Sequence, residues 1–159
     1  MSQMEYPSVR LYGTLGVDAP TIEVGVTIGG GTRIGQNTYI GMNASIGMNC
    51  RIMQHVTICK DDVIRDGVFI GPNTTLLNDK YPPTQISQPP IIKDHAIIGG
   101  GCTITPGVII GLHSVVGAGS TVTKDTPHGE VWCGNPATFH MSREEYDLRQ
   151  SETVKRLKP

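Results

Sequence analysis

The chain has 159 residues and a formal net charge of −1, a size that fits one domain with a real core. Aromatic residues make up 5% and apolar residues 38%, while glycine occurs 20 times, so the core must be built from small aliphatic side chains. A nearly neutral chain with no basic run before Lys155 argues against nucleic acid as a main partner, and no window approaches about 18 consecutive apolar residues, which argues against membrane insertion.

The compartment is expected to be the cytoplasm. Residues 1–7 show no charged segment followed by an apolar stretch, so we expect no secretion signal. The four cysteines form no CxxC pair, and we expect them to be reduced thiols.

From Ile22 onward an aliphatic residue recurs every six positions. The series runs to Leu76, breaks, and resumes from Ile92 to Val122, and all sixteen members are isoleucine, leucine or valine. Neither an α-helix nor an ordinary amphipathic strand has this period. A mostly small residue follows four positions after each aliphatic one, with Asp62 as the exception. Both positions fall on one side of a strand and are predicted to point inward.

Three positions after each aliphatic residue comes a residue that tolerates positive φ. These residues are Gly25, Gly31, Asn37, Asn43, Asn49, His55, Asp61, Gly67, Asn73, Asp79, His95, Gly101, Gly107, His113, Gly119 and Asp125. Each hexad therefore predicts a short strand followed by a turn with one left-handed residue. Three such units close a triangular coil of about 18 residues, and stacked coils form an all-β solenoid.

The same pattern divides the chain into three parts. Residues 1–21 are predicted to be an N-terminal cap segment and residues 22–137 a β-helix, with a loop excursion at 77–91 that carries four prolines. Residues 138–159 are predicted to be a helical tail, because Ser142 and Glu145 have the spacing of a capping box.

These phases resemble the left-handed β-helix of the hexapeptide-repeat acyltransferases, and the handedness follows from that resemblance. The segment FIGPNTTLLNDKYPPT (Phe69 to Thr84) is most similar to the bacterial nucleotide-sugar 3-amino N-acetyltransferases of surface-polysaccharide pathways. The segments IIGGGCTITPGVIIG, VVGAGSTVTKD and GNPATFHMSREEYD are similar to the late coils and the exit of that family. The resemblance implies a metal-free enzyme that transfers acetyl from acetyl-CoA to the amino group of a nucleotide-linked amino sugar.

Amide formation from a thioester needs a neutral amine, and His55, Asn78 and Asp79 are the candidate catalytic residues. A positioned base contributes about 10²–10⁴-fold, and we expect either His55 or Asp79 to be the proton acceptor. Asn78, Tyr81 and Lys80 are expected to contact the substrate. Since His55 and Asp79 both fall on the turn phase, the backbone alone could also explain their identity.

The resemblance also implies a coenzyme A site. Exposed N–H groups would bind the pantetheine amides and Lys124 a phosphate, whereas the glycines could equally be required by the turns and Asn135-Pro136 could simply end the solenoid. The implied residues are Gly99, Gly117, Ala118, Gly119, Lys124, Asn135 and Pro136.

Several outward positions are apolar, which suggests covered faces and a homotrimer with ligands in the clefts between protomers. They are Val63, Phe69, Ile97, Ile109 and Val115.

Three alternatives stay open on the sequence. An O-acetyltransferase acting on a sugar hydroxyl would carry the same repeat. A γ-class carbonic anhydrase uses the same helix with a metal held by three histidines, but no two of the five histidines here show that family's five-residue spacing. A non-catalytic solenoid would have no need of the Asn-Asp-Lys-Tyr-Pro segment.

Overall fold

The computed structural model of the protein describes residues 8–14 and 17–158. The chain winds into a three-sided prism, in which two-residue parallel strands from successive coils stack into three sheets. This is the left-handed parallel β-helix with one C-terminal helix that the six-residue period and the resemblance predict.

We name the three faces after the side chains that point outward from their strands. The arginine face holds strands at Arg10–Leu11, Arg33–Ile34, Arg51–Ile52, Phe69–Ile70, Ile97–Ile98 and Val115–Val116. The threonine face holds strands at Thr21–Ile22, Tyr39–Ile40, Thr57–Ile58, Thr75–Leu76, Thr103–Ile104 and Thr121–Val122. The aliphatic face holds strands at Thr27–Ile28, Ser45–Ile46, Val63–Ile64, Ile91–Ile92 and Ile109–Ile110.

The chain visits the faces in the order arginine, threonine, aliphatic, and the turns between them form three edges. The glycine edge joins the arginine and threonine faces and contains Gly99 and Gly117. The loop edge joins the threonine and aliphatic faces, and the excursion leaves the prism from it. The histidine edge joins the aliphatic and arginine faces, where the rings of His95 and His113 stack with centroids 5.0 Å apart.

The core is the stack of repeat aliphatics. From Ile34 onward each of them is at most 2% exposed, whereas Ile22 and Ile28 are half-buried near the N-terminal end of the stack. Buried threonines satisfy their hydroxyls on the backbone of the next coil, as Thr32 does by donating to the Gly47 carbonyl at 2.8 Å. The interior is therefore mainly aliphatic, and the outward side chains are free to differ from coil to coil.

Fourteen of the sixteen turn positions have positive φ, as predicted, with values such as 57° at His55. The prediction is wrong at Asp79 and Asp125, which are not among the left-handed residues. Both lie where the regular coil is left. Asp79 opens the excursion, and the Asp125 carboxylate accepts a hydrogen bond from the Ile109 N–H at 2.8 Å as the chain departs from the last coil.

Both ends of the prism carry additional structure. The strand Arg10–Leu11 lies within the segment expected to be a cap and pairs in parallel register with Arg33–Ile34. At the other end a hairpin of Glu130–Gly134 and Ala137–Ser142 extends the arginine face, and a helix follows over Arg143–Leu157. The tail predicted to be helical over 138–159 therefore becomes helical only at Arg143, because residues 138–142 pair as the second strand of the hairpin. Ser142 caps this helix as expected, since its hydroxyl accepts from the Glu145 N–H at 3.1 Å.

The described part of the chain contains no helix of the length and apolarity that crossing a membrane requires. All four cysteines are free thiols, in agreement with the expectation from their spacing.

Candidate active site

His55 lies in a turn of the glycine edge, directly after the strand Arg51–Ile52. Its backbone N–H donates to the Gln36 carbonyl on the coil below at 2.9 Å, which fixes the turn. The imidazole is exposed and makes no hydrogen bond to the described residues. The side chain is therefore free to act on a ligand that lies along this edge.

The glycines implied in coenzyme A binding lie on the same edge as His55, higher up the prism. The corresponding turn residues of successive coils are His55, Asn73, Gly101 and Gly119, so Gly119 stands about 14 Å from His55 at about 4.8 Å per coil. A Cβ on Gly99 would lie 2.6 Å from the Ala118 nitrogen, so glycine at 99 is required by the stacking of coils. A Cβ on Gly119 would meet nothing within 4 Å, so this turn faces open space.

The backbone donors of this edge are less available than expected. The Gly117 N–H donates to the Trp132 carbonyl at 2.8 Å and the Gly119 N–H to the Gly100 carbonyl at 2.9 Å. The expectation that these two groups stand open to a ligand is wrong, because they form the bonds between coils. Ala118 lies between them, is exposed, and its N–H has no partner among the described residues.

Asn135 and Pro136 form the tip of the C-terminal hairpin and fold onto the top of the glycine edge. The Gly134 N–H donates to the Ser120 hydroxyl at 3.0 Å, which ties the hairpin to the last coil. Both tip residues are exposed. The structure thus brings His55, the glycine turns and the hairpin tip onto one edge of the prism.

The remaining candidates lie on the loop edge, across the threonine face. Asn78 closes the base of the excursion, since its Nδ2 donates to the Lys60 carbonyl at 3.1 Å and its own carbonyl accepts from the Gln88 N–H at 2.6 Å. Lys124 lies on this edge too, two coils above the excursion, and is exposed. The structure therefore separates Lys124 from the glycine turns with which it was grouped.

The carboxylate of Asp79 organises the excursion. It accepts hydrogen bonds from the Thr84 hydroxyl at 2.7 Å, the Thr84 N–H at 2.8 Å, and the N–H groups of Tyr81 and Gln85 at 3.2 Å. These bonds, above all the one from the Thr84 hydroxyl, lower the pKa of Asp79 below its ordinary value. A carboxylate so occupied is a poor proton acceptor.

Lys80 and Tyr81 project from the loop that Asp79 holds. Tyr81 is 73% exposed, and the Lys80 ammonium lies 5.8 Å from the centroid of its ring. Their side chains are the groups of the excursion best placed to meet a partner or a substrate.

A buried acid lies near the base of the excursion, at the position where the sequence breaks the small-residue phase. Asp62 is 0% exposed and points into the core; its Oδ2 accepts from the Cys59 N–H at 2.7 Å, and its Oδ1 has no partner. Burial raises the pKa of Asp62 to about 8, so the side chain is largely a neutral acid at pH 7. Burial, with Asp62 nearby, also raises the pKa of the Cys59 thiol. In the part of the chain that the structure describes, no three metal-ligating side chains cluster.

Comparison with known proteins gives the class of this fold. Residues 89–124 match the family model described as bacterial transferase hexapeptide (six repeats). A Saccharomyces cerevisiae protein, assigned provisionally as an acetyltransferase, is 38% identical over 82 residues, which are 46% of this chain and 42% of that protein.

Two solved structures are similar over most of the chain. One is a variant of perosamine N-acetyltransferase from Caulobacter crescentus in complex with CoA and GDP-perosamine, with 25% identity, a TM-score of 0.66, and coverage of 77% of this chain and 54% of that one. The other is a hexapeptide-repeat acetyltransferase from Vibrio cholerae O1 biovar eltor in complex with acetyl coenzyme A, with 29% identity, a TM-score of 0.51, and coverage of 75% and 71%.

The resemblance to the hexapeptide-repeat acyltransferases is thereby confirmed in both repeat sequence and fold. This chain spans about half the length of the yeast relative and of the Caulobacter enzyme, by the 42% and 54% coverage above.

Proposed function

We propose that this protein is an acetyl-CoA-dependent acetyltransferase whose acceptor is the amino group of a nucleotide-linked amino sugar. The proposal is supported by the CoA and GDP-perosamine bound to the Caulobacter relative and by the segment Phe69–Thr84 discussed above. The observation that carries it is the glycine edge, where an exposed imidazole and the candidate coenzyme turns share one line along the prism.

The glycine edge has features that suit a thioester co-substrate. Ala118 offers a free N–H next to Gly119, where the turn has open space, and the exposed hairpin tip at Asn135 and Pro136 lies above them. Acetyl-CoA supplies the activated acetyl group. An extended pantetheine chain could lie along this edge with its thioester end toward His55.

The site would be completed by a second protomer. Face-to-face packing of the arginine face on the aliphatic face of a neighbour would bury two apolar ladders. The ladder on the arginine face consists of the paired residues Phe69, Ile97 and Val115. The ladder on the aliphatic face consists of the paired residues Val63, Ile91 and Ile109. Val115 is already buried within the single chain, with 3% of its surface exposed, and the other five residues are half-buried.

Such head-to-tail packing closes into a ring of three when the histidine edges point toward a common axis. The glycine edge of each protomer would then lie beside the loop edge of its neighbour. His55 from one protomer and Tyr81 from the next would line one cleft, which explains why the candidates occupy two edges in a single chain. The expected solution mass is three times 17.1 kDa.

The proposed reaction requires few chemical groups from the protein. The amine nitrogen attacks the thioester carbonyl carbon, the carbon–sulfur bond breaks, and the thiolate leaves and is protonated. His55 accepts the proton that the amine loses, because a neutral imidazole has one ring nitrogen that can take up a proton. Asn78 and Asp79 hold the excursion, Lys80 and Tyr81 contact the acceptor, and Lys124 meets a phosphate of the coenzyme.

A thiol-release assay with acetyl-CoA and a panel of nucleotide-linked amino sugars tests the proposal. We expect release with at least one amino sugar and none with the matching sugar that carries a hydroxyl instead. Release with the hydroxyl sugar would show O-acetylation. No release with any acceptor, together with no detectable CoA binding, would contradict the proposal and favour a non-catalytic solenoid.

A further inference from the structure

The arginine face carries a column of three arginines on its first three strands. Arg10, Arg33 and Arg51 are paired in parallel register, one directly above another. No outward strand position on the threonine or aliphatic face holds a lysine or an arginine. The positive charge of the first coils is therefore concentrated on one face of the prism.

The guanidinium groups in this column lack counter-charges. The ion pairs in the described residues both lie within the C-terminal helix, and all three arginines are exposed. Like charges directly opposite each other on neighbouring strands are destabilising. A column of this kind lowers the stability of the free chain unless an anion binds to it.

The upper two arginines line a groove. It has a volume of about 360 Å³, within the range of small-molecule sites, and is walled by Tyr12, Gln36 and Gln54 beside Arg33 and Arg51. The Arg51 guanidinium lies 5.8 Å from the centroid of the Phe69 ring on the strand above, which restrains its position. The groove is thus shaped as well as charged.

One carboxylate approaches the rim. The Gln36 amide donates to Asp18 Oδ2 at 3.0 Å, and this bond turns Asp18 toward the glutamine. The amide of Gln54 stands on the next coil and is exposed. The rim therefore presents the amides of Gln36 and Gln54 beside a cationic floor, with the carboxylate of Asp18 held by Gln36.

We propose that the Arg33–Arg51 groove binds the diphosphate group of a small molecule. Guanidinium groups bind phosphoryl oxygens through paired N–H donors, and two of them on strands about 4.8 Å apart suit two adjacent phosphoryl groups. In the ring described above the groove would face the neutral outward side chains Thr27 and Ser45 of the neighbour, which offer no carboxylate to the arginines.

The groove ends at the glycine edge, where Gln54 directly precedes His55. A diphosphate held here would place the rest of the bound molecule beside the imidazole. That the molecule is the nucleotide-linked acceptor rests on the proposed function, whereas the diphosphate site itself does not.

Calorimetric titration with inorganic pyrophosphate, without acetyl-CoA, tests the site. We expect the double variant Arg33→Gln with Arg51→Gln to bind pyrophosphate at least about tenfold more weakly than the wild type, because each charge-assisted pair contributes more than an ordinary hydrogen bond. The matched control is Arg65→Gln with Lys93→Gln. It removes the same charge from exposed residues on successive coils, away from the groove, and should leave the affinity within about twofold.

The titration is repeated with orthophosphate and with a nucleoside diphosphate. Orthophosphate should bind more weakly than pyrophosphate, and the nucleoside diphosphate at least as tightly. Equal loss in both double variants, or no binding of pyrophosphate by the wild type, overturns the site. A change of solution mass in the arginine double variant without loss of binding also overturns it, since the arginines would then pair with a second copy.

The two proposals fail separately. A protein that binds pyrophosphate through Arg33 and Arg51 but releases no thiol keeps the groove and loses the acetyltransferase. A protein that transfers acetyl normally in the arginine double variant keeps the enzyme and loses the link between groove and acceptor.

Discussion

The regular coils and the excursion at Leu77–Pro90 are stabilised in different ways. In the coils the same backbone hydrogen bonds recur from one turn to the next, and the core is a continuous stack of buried aliphatic residues such as Ile58 and Ile64. In the excursion the carboxylate of Asp79 accepts four hydrogen bonds, while Asn78 ties the two ends together. Individual outward side chains are therefore replaceable in the coils, whereas the excursion depends on two residues.

Because of this difference, the residues that stabilise the fold and the residues available for function are largely different residues of the same chain. The coils provide a rigid prism with free outward positions, and the glycine edge and the arginine column use those positions. The excursion has no buried aliphatic core of its own, since most of its residues are exposed. Its order is local, so it can be altered without unfolding the prism.

The largest effect is expected from a charge in the core. Ile58→Asp places a carboxylate at a position that is 0% exposed, where an unpaired ion costs several kcal/mol, and we expect loss of soluble protein. Its neighbour Thr57 points outward, so Thr57→Asp should express and melt within a few degrees of the wild type. Equal yields of the two variants would contradict the inward and outward assignment.

The next effect separates chemistry from turn geometry on the glycine edge. Asn37 and Asn73 occupy the turns below and above His55 with φ of 53° and 59°, so His55→Asn should keep the fold and the melting temperature. We expect turnover to fall by about 10²-fold or more, because asparagine accepts no proton near neutral pH. Normal steady-state turnover would show that His55 is a turn residue only.

The excursion is tested by Asp79→Asn. An uncharged amide accepts fewer and weaker hydrogen bonds, so we expect faster hydrogen exchange and proteolysis within Leu77–Pro90 at an unchanged melting temperature. The same loosening should occur in the wild type in acid. The lowered pKa of Asp79 means that the loop contacts are intact at neutral pH and are lost as the pH falls through its folded-state value.

The control for this change is Asp61→Asn, which removes the same charge from a left-handed turn on the same edge. It should leave exchange in the excursion unchanged. If both variants loosen the loop equally, net charge near the edge is responsible and the bonds to Asp79 are not.

A further effect on stability concerns Asp62 and has a defined sign with pH. The folded-state pKa of about 8 lies above the ordinary value of 3.8, so the folded chain keeps a proton that the unfolded chain releases, and wild-type stability declines as the pH rises between these values. Asp62→Asn has no proton to lose. We expect its unfolding free energy to gain about 1–3 kcal/mol relative to the wild type between pH 5 and pH 7.

Urea melts at the two pH values measure this difference. Glu152→Gln, an exposed carboxylate on the C-terminal helix, should show no such trend. A pH-independent difference for Asp62→Asn would mean that Asp62 is charged in the folded core.

The sequence alone predicts the prism, because the same six-residue period determines both the inward aliphatic positions and the turn positions. The inward aliphatics, the left-handed turns and the Ser142 cap all follow from local chemistry. Asp79 also falls on the six-residue period, but the left-handed turn predicted there is absent. Its carboxylate instead accepts hydrogen bonds from the excursion, and the backbone leaves the coil at this residue.

The candidate site was less predictable because it depends on which edge each residue occupies. A separation of 23 residues between His55 and Asn78 suggests neighbouring turns, yet the three-sided coil places them on different edges. The arginine column was not predicted from the sequence either. Arg10, Arg33 and Arg51 are unevenly spaced along the chain and become neighbours only through the register of their strands.

Coexpression of two inactive variants tests the shared cleft most directly. One variant is His55→Asn and the other combines Asn78→Ala with Asp79→Ala, and each is expected to be nearly inactive alone. If the glycine edge of one protomer works with the loop edge of its neighbour, random mixing in a symmetric ring regenerates about a quarter of the clefts with both sets of wild-type residues. Every mixed trimer contains one such cleft of its three, so we predict that doubly tagged, mixed oligomers recover about a third of wild-type turnover. Mixed oligomers that form but remain as inactive as the separate variants would contradict the account.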